Sequence, residues 1–209
     1  YDEFLDKLTK RAEKIKIGAP MDPDTEMGPL SNFKQLEIIE KNIKKTIEQG
    51  GKVRCGGKRH PFSNEGYYFP PTIIECDNHS LPTAENELFG PVLSVMKFND
   101  EKEVIEKMND NQYGLSSGVY TSDFARGLRV SNAIRAGITF VNTYRLISPS
   151  APFGGIKDSG YGKEAGMDSI KDYTRVKTTW YYTSDEPTLD PFSIRSVSYT
   201  HLTLPTTSC

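Results

Sequence analysis

The sequence predicts an α/β fold: a mostly parallel sheet with flanking helices. Short apolar runs at Thr72–Glu75, Val92–Phe98, Gly118–Tyr120 and Ile138–Val141 alternate with helical windows. Alternating strands and helices are the pattern of parallel strands joined by crossovers. The composition, 36% hydrophobic and 26% charged over 209 residues, suffices for one substantial domain with its own core.

The elements follow in order. Phe4, Leu8, Ala12 and Ile15 recur at helical spacing, so residues 1–16 read as an amphipathic helix stopped by Gly18 and Pro20. A loop with Pro23 and Gly28-Pro29 follows. Asn32 with Gln35 has the spacing of a capping box, and Leu36, Ile39, Ile43 and Ile47 stripe the helix it opens. Glu37–Lys41 and Glu40–Lys44 support its outer face, and Gly50-Gly51 ends it. Asp100 with Glu103 opens a further helix. Another begins near Ser122 or Asp123, carries Phe124 and Leu128 on one side, and ends before Gly137. Glycine and proline then crowd from Pro149 to Gly166. Over Tyr173–Tyr182, Thr174, Val176, Thr178, Trp180 and Tyr182 share one strand face, with Arg175 and Lys177 on the other. A lone terminal strand of this kind needs a partner edge, which another subunit can provide. Residues 192–209 match neither pattern. The run Val197–Ser208 reads as a sequence artefact or a disordered tail and carries no function.

A net charge of −2 gives no electrostatic case for nucleic acid or an anionic membrane. No run is long and apolar enough for a transmembrane helix, and no secretory signal opens the chain. Cys55, Cys76 and Cys209 have no disulfide spacing, so a reducing, cytoplasmic setting is expected. Cys55 and His60 with Cys76 and His79 could be drawn as a zinc site, but the intervals are irregular and no metal is expected. The chain starts at Tyr1, without Met, directly in helical periodicity, which suggests a piece of a longer protein.

The run Glu85-Asn86-Glu87-Leu88-Phe89-Gly90-Pro91-Val92 carries the most chemistry. Gly90-Pro91 fixes a turn before a strand and presents Glu87 and Phe89 from the mouth of a sheet, where α/β proteins bind ligands. A carboxylate can take both hydroxyls of a ribose, and an aromatic can pack on a flat ring. On the residues alone, a solvated loop acid remains the plainer reading of Glu87. Gly160-Tyr161-Gly162-Lys163-Glu164-Ala165 satisfies a loose dinucleotide-binding pattern, but no strand directly precedes it. The spacing from Gly155 to Gly160 is that of a phosphate loop, but Tyr161 stands where Lys is needed. A packed turn fits this segment better.

Together these runs resemble the aldehyde dehydrogenase superfamily. Glu87-Leu88-Phe89-Gly90-Pro91-Val92 is similar to its glutamate–phenylalanine–Gly-Pro motif, with Asn86 in place of the usual first glutamate. Four other runs match in order: Gly66 to Thr72, Asn111 to Val119, Gly137 to Tyr144, and Pro152-Phe153-Gly154-Gly155-Ile156-Lys157-Asp158-Ser159-Gly160. The matches cover Tyr1 to Tyr182. The resemblance implies that Glu87 holds the nicotinamide ribose of NAD or NADP and that Phe89 flanks the nicotinamide. It also implies that Phe153 enters the substrate tunnel, and that Asn142–Ile147 lines the aldehyde entrance with Arg145 and Ile147 at variable positions. Asn142 by itself reads as a residue tying the loop's backbone.

The implied reaction oxidises an aldehyde to a carboxylic acid through a cysteine thiohemiacetal and thioester, with a glutamate-activated water. The Gly-Gln-x-Cys motif, the base glutamate and the dinucleotide-binding turn find no match here, and Cys55 and Cys76 are expected to be inert. Residues 1–172 are accordingly read as the C-terminal portion of the catalytic domain, 173–184 as an oligomerisation strand and 185–209 as a tail outside the family. A homodimer or homotetramer is implied, with an aldehyde as the small-molecule partner and no turnover by this chain alone. The rival reading is a non-catalytic relative that assembles through Tyr173–Tyr182. A relative acting on phosphorylated or CoA-linked substrates is a third.

Overall fold

A computed structural model of the chain describes residues 1–61, 66–187, 190 and 192. It divides into two compact units, Tyr1–Asp172 and Tyr173–Cys209.

In the first unit, α1 (Asp2–Glu13) has acids in its first turn and Lys10 and Arg11 in its last, which suits the helix dipole. Its buried residues are Leu5 and Ala12, while Phe4 is 62% exposed. The stripe therefore runs 5–8–12, one residue away from the expected Phe4, because that register packs on Cys55 and Ile73. The helix also stops short of the expected residue 16. Helix α2 (Phe33–Glu48) is capped by Asn32, whose side chain accepts from the Gln35 N–H at 2.8 Å. Leu36, Ile39 and Ile43 are buried as expected, but Thr46 is buried in place of Ile47. The Thr46 hydroxyl accepts from the Thr83 N–H at 3.0 Å, which satisfies that buried amide.

The strands form two sheets, where the sequence predicts one mostly parallel sheet. In the first, β1 (Lys52–Cys55) pairs antiparallel with β2 (Thr72–Glu75), and β2 pairs parallel with β3 (Val92–Val95). The register of the parallel pair runs from Thr72↔Val92 to Glu75↔Val95. Strand β1 is unexpected: four residues between glycine pairs are too few to show alternation, and its register breaks between Val53 and Cys55. The short helix α3 (Pro82–Glu85), with proline in its first turn, lies on the connection from β2 to β3.

The second sheet pairs β4 (Ser116–Val119) with β5 (Ile138–Val141) in parallel. Helix α5 (Phe124–Ala133) makes the crossover between them, capped by Asp123, which accepts from the Arg126 N–H at 3.1 Å. Its buried residues are Gly127 and Val130, so the expected Phe124–Leu128 side faces outward. Helix α4 (Glu101–Asn109) precedes β4, with Asp100 accepting from the Glu103 N–H at 2.8 Å. Glu103 reaches back past the cap to the Asn99 N–H, also at 2.8 Å.

The core lies around β2. Leu36, Ile39, Ile43, Phe69, Ile74, Cys76, Leu81 and Leu88 form the main cluster. Ile73 joins Leu5, Ala12 and Cys55 in a second cluster, so adjacent residues of β2 feed opposite faces, as the strand period requires. Two 3₁₀ turns, Lys157–Ser159 and Met167–Ser169, lead to α6 (Ile170–Tyr173).

In the second unit, residues 174–182 form no strand, contrary to expectation; Val176 and Trp180 are almost fully exposed. No partner edge pairs with this segment among the described residues, and a single strand has no ladder of its own. Of the expected tail at 185–209, only residues 185–187, 190 and 192 lie among the described residues. No helix among the described residues is long and apolar enough to cross a membrane.

Ile39 is fully buried, so Ile39→Ala is expected to cost about 2–5 kcal/mol, read from the urea midpoint. Lys107 and the Asn99 N–H hold Glu103 at about 2, below the ordinary 4.5. Its stabilising contribution is therefore present above pH 4.5 and lost as pH falls toward about 2. Glu103→Gln is expected to flatten the acid limb of melting temperature against pH in that window.

Candidate functional site

The turn before β3 is built by alternation. Leu88 is buried in the main core, 6% exposed, while Glu87 and Phe89 on either side are exposed. Gln35 Nε2 donates to the Leu88 carbonyl. A Cβ at Gly90 would meet the end of the Ile39 side chain, so the turn packs closely on α2 at this point. The Val92 N–H donates to the Gly90 carbonyl at 2.8 Å, and the Thr72 N–H to the Pro91 carbonyl at 2.7 Å, tying the turn to β2. Phe89 adopts φ +47° and is 77% exposed. That backbone region costs a non-glycine residue about 1–3 kcal/mol and persists only where the surroundings enforce it. Glu87 has no hydrogen bond or ion pair with the described residues.

Glu87 also lines a cleft of about 1060 Å³, alongside Phe98, Lys107, Asp110, Ser117 and Lys157. That volume is at the upper end for small-molecule sites. His79 Nε2 and Asp110 Oδ2 meet at 2.7 Å on its lining. Lys157 Nζ donates to the carbonyls of Asn109 and Asn111, both at 2.9 Å, placing a cation at the C-terminal end of α4. Lys157 carries no role legible in the sequence, because a lysine between two glycine-bounded turns has no local periodicity to mark it.

Asn142, Arg145 and Ile147 share the loop after β5, outside the cleft lining. Asn142 has φ +53°, a conformation asparagine tolerates well. Its side chain accepts from the Thr121 N–H and donates to the Thr121 carbonyl, each at 2.8 Å. Its own N–H donates to the Val119 carbonyl at 2.8 Å. The asparagine thus extends the β4–β5 ladder one step beyond the strands. The Tyr120 hydroxyl donates to the Thr143 carbonyl at 3.1 Å, and Arg145 lies over the Tyr144 ring, 6.0 Å from its centroid. Arg145 and Ile147 are exposed.

Phe153 is half-buried and pairs with Glu164 through two 2.7 Å backbone bonds. Lys163 Nζ donates to the carbonyls of Gly154 and Gly155 at 2.9 and 2.7 Å. Gly137 has no room for a Cβ against the Gly154 carbonyl, so two backbone segments touch there, as the packed-turn reading expects. Of the six residues the sequence singles out, Glu87 alone lines the cleft; Phe89 stands beside it on the same turn.

The residues considered for zinc are separately engaged. Cys55 and Cys76 are both buried, with sulfurs 3.7 and 3.8 Å from the Pro71 and Ile74 carbonyls, and His79 pairs with Asp110. Burial pushes the Cys55 thiol up, which disfavours the reactive thiolate. Among the described residues no group of three potential ligands converges.

Parallel strand pairs joined through helices, with a ligand-sized cleft beside them, define an α/β protein. Residues 1–179 match the aldehyde dehydrogenase family, and the chain belongs to that family. It is 48% identical to a (Z)-2-((N-methylformamido)methylene)-5-hydroxybutyrolactone dehydrogenase of Acinetobacter baylyi, over 93% of this chain and 40% of that protein. It is 41% identical to a betaine aldehyde dehydrogenase of Brucella anthropi, over 86% of this chain and 37% of the relative. The NAD+ complex of an aldehyde dehydrogenase from Bacillus cereus superposes with a TM-score of 0.83 at 38% identity, covering 88% of this chain and 37% of that one. The chain thus spans about 40% of the length of the curated relatives it matches.

Asn142→Ala removes both Thr121 bonds and places alanine in a left-handed conformation, an expected loss of about 1–2 kcal/mol. Melting temperature checks the loss, and faster hydrogen exchange at the Thr121 amide checks its cause.

Proposed function

We propose that this chain forms the nicotinamide side and the substrate entrance of an NAD(P)-dependent aldehyde dehydrogenase, an oxidoreductase that converts an aldehyde to a carboxylic acid. The observation that carries the proposal is the turn Glu87–Pro91. Its inward Leu88 and tightly packed Gly90 hold an unpaired carboxylate and an outward aromatic side by side. An ionised carboxylate only accepts hydrogen bonds, so Glu87 suits a pair of ribose hydroxyls. Phe89 offers a flat face for the nicotinamide, held outward by its backbone conformation. NAD(P), when bound, supplies the hydride acceptor. Membership of the family and a structural neighbour solved with NAD+ support this reading.

The substrate side is assigned to the Asn142–Ile147 loop and Phe153. Asn142 acts there through the backbone it pins, leaving Arg145 and Ile147 to face an incoming aldehyde. Phe153 is held by its ladder to Glu164. The reaction's cysteine nucleophile and glutamate base have no matching motif in this sequence, and we propose that the chain alone does not turn over. Tyr173–Tyr182, with Val176 and Trp180 exposed, is proposed to pair with a second subunit in a homodimer or homotetramer.

In the complete enzyme, Glu87→Ala is expected to remove charge-assisted bonds worth about 1.5–3 kcal/mol, weakening NAD binding about ten- to a hundredfold. Titration calorimetry reads this directly, and an unchanged Kd overturns the ribose role. Deleting Tyr173–Tyr182 from the same enzyme is expected to leave monomers in sedimentation velocity; an unchanged assembly refutes the pairing.

A further inference from the structure

From Phe124 to Lys157 the chain holds five basic residues and no acid; Asp123 is the last carboxylate before this stretch and Asp158 the first after it. Three of the five cations are engaged. Arg126 and Arg129 both pair with Glu101, at 3.5 and 2.6 Å, and Lys157 donates to the Asn109 and Asn111 carbonyls. Arg135 follows α5 and lines the cleft. Arg145 is different: it is exposed on the loop after β5, and among the described residues no carboxylate pairs with it.

The loop fixes where this charge stands. Asn142 is clamped to Thr121 by two 2.8 Å bonds, and the Tyr120 hydroxyl holds the Thr143 carbonyl at 3.1 Å. The Tyr144 ring meets Phe140 edge-on, with centroids 6.3 Å apart and planes at 72°. Arg145 itself takes φ +56°, and its guanidinium lies over the Tyr144 ring, 6.0 Å from the centroid. A ring face attracts a cation through its quadrupole, which holds the side chain without cancelling its charge. A carboxylate partner would cancel it. What the loop presents is therefore an oriented and unneutralised guanidinium, whose planar set of N–H donors matches the two oxygens of a carboxylate or a phosphate.

We infer that Arg145 is a specificity-determining residue that selects aldehydes carrying an oxyanion group at the end remote from the reacting carbonyl. The inference rests on the assignment of Asn142–Ile147 to the aldehyde entrance. A fixed positive charge there draws an anionic substrate in and repels a cationic one, and a neutral aldehyde gains nothing from it. Tyr144 keeps the guanidinium in place and is itself covered on that face, so it does not serve as a free aromatic surface for a quaternary ammonium group.

The test is a comparison of kcat/KM in the complete enzyme, with NAD, for aldehydes of similar size that end in a carboxylate, a phosphate monoester, a neutral amide or a trimethylammonium group. One of the two oxyanion aldehydes is expected to exceed the amide by about tenfold, with the trimethylammonium compound lowest and the preference shrinking as salt rises. Whichever oxyanion gives the larger ratio identifies the group as carboxylate or phosphate. Arg145→Asn removes the charge while tolerating the left-handed backbone, and is expected to cut the oxyanion-to-amide ratio about tenfold, through KM rather than kcat. Arg145→Lys keeps the charge without the planar fork and is expected to retain about a third of the ratio. A wild type that favours neither oxyanion aldehyde over the amide overturns the inference, and so does a ratio that survives Arg145→Asn. Ile147→Trp separates this failure from that of the underlying assignment, since narrowing the entrance is expected to raise KM for all four aldehydes. If it leaves all four unchanged, the loop is not the entrance and the inference falls with it.

Discussion

Helix α4 ends in carbonyls that no following amide of the helix can reach, and the Lys157 ammonium closes one of them, on Asn109, together with the Asn111 carbonyl just past the helix. Much of the second half of the first unit hangs from that point. The Asn109 side chain donates to the Ala133 carbonyl and accepts from the Arg135 N–H, joining the end of α4 to the end of α5. Gly114, at the approach to β4, accepts from the N–H groups of Gly137 and Ile156 and donates to the Ser159 hydroxyl. Lys157 thus ties the end of α4 to the glycine-rich loop, and Gly114 ties that loop to the start of β4.

The helices are legible in the sequence because caps and stripes are local. Asn32, Asp100 and Asp123 start their helices as their residue types predict. Registers finer than a turn are less legible. Whether Phe4 or Leu5 faces inward depends on Cys55 and Ile73, residues more than forty positions away. Strand β1 is invisible for a related reason: its pairing is antiparallel and interrupted, and four residues between glycines carry no period. The division into two sheets is likewise a matter of which edges meet, which no local pattern encodes.

The candidate site divides along the same line. The alternation around Leu88 is local, so the outward pair Glu87 and Phe89 can be read from the turn residues alone. The left-handed backbone of Phe89 cannot, because the contacts that surround the turn, to Ile39 and to β2, come from residues distant in the chain. Asn142 shows the converse: a polar residue at the end of a strand reads equally as a ligand contact or a backbone tie, and only the two bonds to Thr121 distinguish them. The segment 173–182 has the pattern of a strand, but a pattern fixes which side chains share a face and not what pairs with the edge.

The loop from Tyr144 to Ile147 is anchored at its start by the Asn142 clamp and the Tyr120–Thr143 bond, and its exposed side chains carry none of the core. Frame and decoration are therefore separate there. Side chains at 145 and 147 can vary in size and charge without disturbing the packing that holds the fold, while the left-handed backbone at Arg145, φ +56°, disfavours β-branched residues there. The contacting backbones of Gly137 and Gly154 allow no such freedom. A loop arranged this way can change its surface chemistry while the stability of the fold stays almost constant.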